Sequence, residues 1–169
     1  MKLLLVGSGA REHALAWKLS RESSVEELVC APGNAGIAQA GSKSAGPLAV
    51  RCAAVDVADP QAVLALAVRE GVDFTVVGPE LPLAHGVADR FLEAGRPLFG
   101  PVQAAARLES SKAFAKEFMA RHGIPTARFT ICQTERDALD ACDAFGFPVV
   151  VKADGLAAGK GVTVAPDRA

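Results

Sequence analysis

The sequence lacks a strong charge of either sign, since 18 lysines and arginines nearly balance 19 aspartates and glutamates. It therefore has neither the broad basic surface that binds nucleic acid nor an acidic tail. It also lacks any apolar run near the roughly 18 residues that a membrane-spanning helix needs. The opening apolar stretch ends at Gly7, too soon for a signal peptide. We expect a cytoplasmic protein without nucleic-acid or membrane partners, in which local geometry holds any bound phosphate.

Cysteine is scarce, and no two of the four cysteines form a Cys-x-x-Cys pair. Each lies in an apolar or helical stretch: Cys30, Cys52, Cys132 and Cys142. This spacing favours free, buried thiols. Metal ligation and disulfides remain as alternatives.

What the first hundred residues do contain is a regular alternation of strands and helices. Short apolar runs predict strands at 3–6, 28–31, 49–55, 73–77 and 97–99. Asp59-Pro60 is typical of a helix start and Gly71 of its end. The order predicts an α/β fold with a Rossmann-like parallel sheet, in which ligands lie at the carboxyl ends of the strands. The loops of interest are then 7–13, 32–36 and 78–85.

Gly100-Pro101 marks a predicted domain boundary. Helices are expected beyond it at about 102–109 and 111–122, followed by a strand at 127–132. Thr134-x-x-Asp137 has the spacing of a capping box that opens a further helix. Strands at 148–152 and 162–164 then enclose a glycine-rich loop.

The loop after the first strand, Gly7-Ser8-Gly9-Ala10-Arg11-Glu12, begins like a dinucleotide fingerprint. Glu12 replaces the third glycine, and the second strand ends in Cys30-Ala31-Pro32 without the acid that holds ribose hydroxyls. NAD and FAD are therefore disfavoured. What remains is a turn at a helix N-terminus, which suits a phosphate or a carboxylate or serves only as a tight connection.

The glycine-rich loop runs from Lys152 to Gly161 and is not a Walker A loop, since only three residues separate Gly155 from Gly159. A loop of this kind between antiparallel strands can fold over the phosphates of a nucleotide. Its glycine N–H groups approach the oxygens, while Lys152 and Lys160 add positive charge. The alternative is a mobile hairpin with solvated lysines.

Seven segments, in order, resemble the glycinamide ribonucleotide synthetase family of ATP-grasp ligases. They are residues 7–14, 31–36, 77–80, 99–101, 111–116, 122–126 and 151–161. The resemblance implies a purine-synthesis enzyme that uses ATP and Mg²⁺ or Mn²⁺ to join glycine to 5-phosphoribosylamine through a glycyl phosphate. It also implies a Rossmann-like substrate domain followed by an incomplete ATP-grasp domain.

The resemblance assigns roles to individual residues. In a substrate domain at 1–101, Gly9, Ala10 and Arg11 would lie near the phosphate of phosphoribosylamine, Asn34 would line the pocket and Glu80 would bind the ribose hydroxyls. A helical linker at 102–122 and a partial ATP clamp at 123–169 would follow. Their ATP-binding residues would be Lys112, Lys152, Gly155, Gly159, Lys160 and Gly161. We expect Lys116, His85 and His122 to be solvated.

Two departures qualify the resemblance. Ala10 stands where many family members have glycine, which disfavours a positive φ there. The metal ligands and most of the glycine site are expected beyond residue 169, so this chain alone is not expected to catalyse the reaction. The alternatives are another ATP-grasp carboxylate–amine ligase and a non-catalytic phosphoribosyl- or nucleotide-binding module.

Overall fold

The structure, a computed structural model, describes residues 1–40, 48–157 and 159–168. The chain forms two compact units, Met1–Ala106 and Arg107–Ala169. The sequence places the boundary slightly earlier, at Gly100-Pro101.

The first unit is built on a five-stranded sheet of order β3-β2-β1-β4-β5, and every neighbouring pair is parallel. The strands are β1 (Lys2–Gly7), β2 (Glu27–Pro32), β3 (Ala49–Cys52), β4 (Phe74–Val77) and β5 (Leu98–Phe99). The chain starts in the centre, adds β2 and β3 on one side, and then returns to place β4 on the other. The predicted α/β class and Rossmann-like parallel sheet are confirmed, although β3 ends three residues before the predicted Val55.

Short helices connect these strands. They are α1 (Ala10–Leu19), α2 (Ala35–Ala38), α3 (Pro60–Glu70), α4 (Glu80–Ala84) and α5 (Val87–Glu93), with α6 (Gln103–Ser110) running across the unit boundary. The Asp59 side chain accepts hydrogen bonds from the backbone at the start of α3, and Gly71 ends this helix at φ 61°. The loop after β4 predicts a single helix up to about Ala94, but the structure has two, because Gly86 at φ 89° separates α4 from α5.

Apolar side chains alternate along β1 and feed two cores, one on each face of the sheet. Leu4 and Val6 pack on the face that carries α3 and α5, where Leu66 and Phe91 are buried. Leu3 and Leu5 pack on the opposite face with α1. Burying one such side chain contributes about 1.5–3 kcal/mol, so the two cores fix the sheet that carries the loops.

The second unit contains α7 (Lys112–Arg121), α8 (Glu135–Phe145) and an antiparallel pair, β6 (Val149–Lys152) with β7 (Val162–Ala165). The predicted capping box is present, since the Thr134 hydroxyl accepts from the Asp137 N–H and the Asp137 carboxylate accepts from the Thr134 N–H. The predicted strand at 127–132 is wrong, because these residues are irregular. Their apolar–polar alternation fits a strand, but they form no ladder with the described strands.

The second unit has no buried core in its described part. None of residues 107–157 and 159–168 is buried, and valines of both strands are exposed, among them Val150, Val162 and Val164. These three share one face of the β6–β7 hairpin, and Val151 on the opposite face is exposed as well, so both sides present apolar groups to solvent. None of the helices in the described ranges has the length and apolar character that crossing a membrane requires.

Candidate functional site

Three loops meet at the carboxyl edge of the parallel sheet. The Gly33 N–H, after β2, donates to the Gly7 carbonyl at 3.1 Å, and the Gly78 N–H, after β4, donates to the Val6 carbonyl at 3.0 Å. The turns after β1, β2 and β4 are thus held side by side. This is the edge where parallel α/β sheets bind ligands, and it confirms the expected meeting of these loops.

The buried carboxylate of Glu12 lies between two of these turns and is only 2% exposed. Its Oε2 accepts from the Gly9 N–H at 2.7 Å, and its Oε1 accepts from Arg11 Nε at 2.9 Å. A methyl group at Gly7 would lie 2.5 Å from Glu12 Cγ, and one at Gly78 would overlap the carboxylate. The glycines therefore clear the space that Glu12 fills.

Arg11 extends this arrangement across the crevice between β1 and β4. Its NH2 group donates to Glu80 Oε2 at 3.3 Å, at the first residue of α4. The hydrogen bond to Glu12 raises the pKa of Arg11, burial opposes this, and the bond to Glu80 adds to it. Arg11 is therefore a permanent cation, held by two carboxylates, at the mouth of the site.

The start of α1 supplies unpaired backbone donors next to this cation. The first hydrogen bond within the helix runs from the His13 N–H to the Gly9 carbonyl at 3.0 Å. The backbone N–H groups of Ala10, Arg11 and Glu12 therefore have no acceptor within the helix. Because Ala10 is already helical, alanine fits there without the positive φ that would favour glycine. Since the Glu12 carboxylate occupies the Gly9 N–H, the donors left for an anion are the backbone N–H groups of Ala10, Arg11 and Glu12.

Asn34 joins the second loop to the first. Its side-chain amide donates to the Ser8 carbonyl at 2.8 Å, and its oxygen accepts from the Ile37 N–H at 2.9 Å, capping α2. Nearby, the His13 ring lies where a methyl group at Gly36 would contact it at 2.9 Å. Asn34 therefore ties the second loop to the first at this edge of the sheet.

All four cysteines are free, but only one is buried as predicted. Cys30 is inaccessible, and burial raises its pKa to about 12. Cys52 is exposed beside the Asn34 carbonyl, and Cys132 and Cys142 are half-buried. Cys52 is exposed because it is the last residue of β3, where the strand leaves the sheet.

In the second unit, Asp154 connects the glycine-rich loop to the start of α7. Its carboxylate accepts from the Lys112 N–H at 2.6 Å, the Ala113 N–H at 3.2 Å and the Ser111 hydroxyl at 3.1 Å. Burial by itself would raise the pKa of Asp154, but these bonds and one from the Gly155 N–H lower it below its usual value. The Lys112 ammonium group donates to the Gly155 carbonyl at 2.7 Å, so the helix and the loop are joined twice.

The predicted ATP-binding residues divide into two groups. Lys112 and Lys152 line an open cavity of about 750 Å³ between α7, residues 127–134, α8 and β6. Gly155 and Gly159 adopt positive φ angles of 87° and 78°. Gly155, Gly159, Lys160 and Gly161 do not line this cavity. Gly161 allows the two ends of the loop to close, since the Ala153 N–H donates to its carbonyl at 2.8 Å.

Lys116 was expected to be solvated, and this is wrong. It is half-buried, its ammonium group donates to the Thr126 hydroxyl at 2.6 Å and the Ala127 carbonyl at 3.2 Å, and it lines the same cavity. Position i+4 from Lys112 places it on the same helix face. His85 and His122 are exposed, as predicted. In the part of the chain that the structure describes, no three His, Cys, Asp or Glu side chains form a group that could hold a metal ion.

Besides Lys116, sequence reasoning missed the roles of two further residues, Glu12 and Asp154. The sequence pattern marked Glu12 only as the residue that replaces a glycine. However, Glu12 lies three residues after Gly9, which precedes α1, and an acid at this position is typical of a capping box. Asp154 gave no comparable local signal, because its partners lie more than 40 positions earlier in the chain.

Comparison with known families agrees with the two-unit organisation. Residues 1–109 match the family model "Phosphoribosylglycinamide synthetase, N domain", and residues 110–169 match "Phosphoribosylglycinamide synthetase, ATP-grasp (A) domain". The chain is 54% identical over 165 residues to a phosphoribosylamine–glycine ligase of Xylella fastidiosa and 56% identical over 166 residues to one of Xanthomonas campestris. Each alignment includes 98% of this chain, but the chain spans only 37% of the length of these relatives.

Solved structures show the same relationship. The phosphoribosylamine–glycine ligase of Thermotoga maritima superposes with a TM-score of 0.72 at 31% identity, covering 99% of this chain and 36% of that one. The biotin carboxylase domain of the Hydrogenobacter thermophilus 2-oxoglutarate carboxylase gives 0.73 at 21% identity, over 98% of this chain and 37% of that one, which shows a shared fold alone. Since one family model covers residues 1–109 and its companion covers the rest, the chain belongs to the phosphoribosylglycinamide synthetase family.

Proposed function

We propose that this chain provides the phosphoribosylamine-binding unit and part of the ATP-binding unit of a cytoplasmic phosphoribosylamine–glycine ligase. The observation that carries the proposal is the pairing of Arg11 with Glu80 across the crevice, 3.3 Å apart, beside the free N–H groups at the start of α1. A 5-phosphorylated ribose has an anion at one end and adjacent hydroxyls on its ring. Arg11 and the helix start suit the anion, and the Glu80 carboxylate suits two hydroxyls.

In this proposal the first unit binds and orients phosphoribosylamine. The phosphate accepts from the Ala10 and Arg11 N–H groups and from the Arg11 guanidinium, and Gly9 gives it room at the turn. Glu80 accepts from the ribose hydroxyls, while Asn34 keeps the second loop against the first. Fixing both ends of the ribose phosphate would hold the amine in one orientation, which is how positioning lowers a barrier.

The second unit would contact ATP. Lys112 and Lys152 supply charge at the cavity, and the loop with Gly155, Gly159, Lys160 and Gly161 would close over the phosphates. Each hydrogen bond to a charged phosphate contributes about 1.5–3 kcal/mol, so two or three suffice for a useful affinity. The residues described here fit a nucleotide phosphate but include no carboxylate cluster for Mg²⁺ or Mn²⁺.

The reaction proposed for the whole ligase has two steps. The glycine carboxylate attacks the γ-phosphorus of ATP, which forms glycyl phosphate and releases ADP. The amine of phosphoribosylamine then attacks the acyl carbon, expels phosphate and forms the amide of glycinamide ribonucleotide. The first unit would present the amine of the second step, and the second unit the phosphoryl donor of the first.

Calorimetric titration of the chain with glycinamide ribonucleotide, alongside NADH, tests the substrate assignment. We expect saturable binding of the ribonucleotide with one site per chain and no heat from NADH, because Glu12 replaces the third glycine of a dinucleotide site. Binding of NADH without the ribonucleotide would overturn the proposal. Binding of neither would show that residues 1–169 do not form the substrate pocket by themselves.

A further inference from the structure

Glu12 occupies the position at which a dinucleotide-binding turn has its third glycine. In such turns the first two glycines bring the backbone close to a diphosphate, which lies at the helix N-terminus. Here the same strand, turn and helix are present, formed by β1, residues 7–9 and α1. The difference lies in what fills the space beside the turn.

Two features of Glu12 act against a diphosphate. Its Oε2 takes the Gly9 N–H at 2.7 Å, which removes one backbone donor from any ligand. Its carboxylate also fills the volume bounded by Gly7, Gly9 and Gly78, where an added methyl group would collide with it in each case. A second phosphoryl group next to the first would meet a negative charge that is 2% exposed and closely packed.

The same carboxylate favours a single phosphate. Glu12 Oε1 holds Arg11 Nε at 2.9 Å, which turns the guanidinium toward Glu80 and keeps it at the mouth of the site. The Ala10 and Arg11 N–H groups remain available at the helix start. One anionic group can therefore bind between the helix start and Arg11 without approaching Glu12.

We propose that Glu12 is the specificity-determining residue of this turn. Because of Glu12, the turn would bind a monophosphate and exclude a diphosphate. The inference deepens the proposed function and rests on its placing of the substrate phosphate at this turn. Glu12 would not touch the substrate. It would act through Arg11, through the Gly9 N–H and by filling the space beside them.

The test compares inorganic phosphate with inorganic pyrophosphate, so that ribose recognition does not enter the result. Each is titrated into the whole chain and into Glu12→Ala and Glu12→Gln, and the shifts of the Gly9 and Ala10 amide NMR signals give the dissociation constants. We expect the ratio of pyrophosphate affinity to phosphate affinity to rise at least tenfold in Glu12→Ala. A smaller move in the same direction is expected in Glu12→Gln, which loses the charge but keeps most of the volume.

Glu26→Ala serves as the matched control, since it removes one acid whose side chain is 84% exposed near the other end of the strands. Its ratio of pyrophosphate affinity to phosphate affinity should equal that of the unaltered chain. An unchanged ratio in the folded Glu12 variants, or failure of those variants to bind pyrophosphate, would overturn the inference. Loss of glycinamide ribonucleotide binding in the unaltered chain would instead overturn the proposed function, so the two failures are distinguishable.

Discussion

Glu80 and Arg11 form an ion pair whose side chains are 42% and 60% exposed. Exposed pairs contribute about 0–1 kcal/mol to folding, whereas a carboxylate that holds two ligand hydroxyls contributes about 1.5–3 kcal/mol per charged hydrogen bond. Ligand binding at Glu80 should therefore depend on the side chain far more than stability does.

We predict that Glu80→Ala weakens binding of glycinamide ribonucleotide by roughly 10–100-fold, the equivalent of about 1.5–3 kcal/mol. Its thermal midpoint should stay close to that of the unaltered chain. Calorimetry and circular dichroism measure the two quantities. Unchanged affinity would remove Glu80 from the ribose site, and a large loss of stability would give the residue a structural role instead.

Single residues also show where sequence reasoning works. Asp59 and Gly71 were correctly identified as the limits of α3, because capping depends on neighbours in the chain. Arg11 and Glu80 were correctly placed near one edge, because the carboxyl ends of parallel strands share it. The burial of Glu12 could not be predicted in this way, since Gly78 closes over it from a loop distant in sequence. The bonds of Lys116 could not be predicted either, since they depend on how the irregular segment ten residues later folds back onto α7.

At the scale of elements, α7 depends on a residue outside it. Asp154 accepts from the N–H groups of the first two helical residues, Lys112 and Ala113, and from the capping Ser111. A carboxylate at this position satisfies donors that have no partner within the helix and interacts favourably with the helix dipole. Loss of such a cap costs about 1 kcal/mol.

We predict that α7 loosens when Asp154 is protonated. Because the folded-state pKa of Asp154 is lowered, its contribution is fully present above the ordinary pKa of about 3.9 and is lost as the pH falls through the folded value. Hydrogen exchange of the Lys112 and Ala113 amides, corrected for intrinsic rates, should accelerate below about pH 4.

Asp154→Asn is the control for this prediction. It keeps the shape of the side chain but removes the titrating group, so its corrected exchange rates should be faster at neutral pH and nearly independent of pH. If the Lys112 and Ala113 amides are as well protected at pH 6 in Asp154→Asn as in the unaltered chain, Asp154 does not cap α7.

Two further elements show why the rest of the second unit escaped prediction. Residues 127–132 have the alternation of a strand, but a strand also needs a partner with which to exchange hydrogen bonds. The division between α4 and α5 at Gly86 depends on a left-handed residue that the apolar pattern of the sequence does not reveal. The sequence pattern predicts which element a segment can form, whereas tertiary contacts decide whether that element forms.

At the scale of the whole molecule, the two units differ in what stabilises them. The first has two buried clusters on the two faces of the five-stranded parallel sheet. The second has no buried residue in its described part. Hydrophobic burial is the dominant favourable contribution to folding, so the two units should respond differently when they are separated.

We predict that residues 1–106 expressed alone unfold in one cooperative transition. The midpoint should lie within about 5 °C of that of the longer chain, the shift that about 1 kcal/mol produces in a domain of this size. Residues 107–169 alone should show no cooperative transition. Calorimetric scans of both pieces decide this, and a sharp transition in the second piece would disprove our account of its stability.

The central position of β1 affects how the sheet assembles while the chain is being synthesised. β1 leaves the ribosome before the other four strands of the sheet, yet its second neighbour, β4, begins only at Phe74. Until then, a nascent sheet of β1, β2 and β3 exposes the Leu3–Val6 edge, which offers unpaired backbone groups to any passing strand. The crevice between β1 and β4 does not exist during this interval. A growing chain is thus most open to wrong pairing before this crevice has formed, and a ligand of the crevice cannot protect it at that stage.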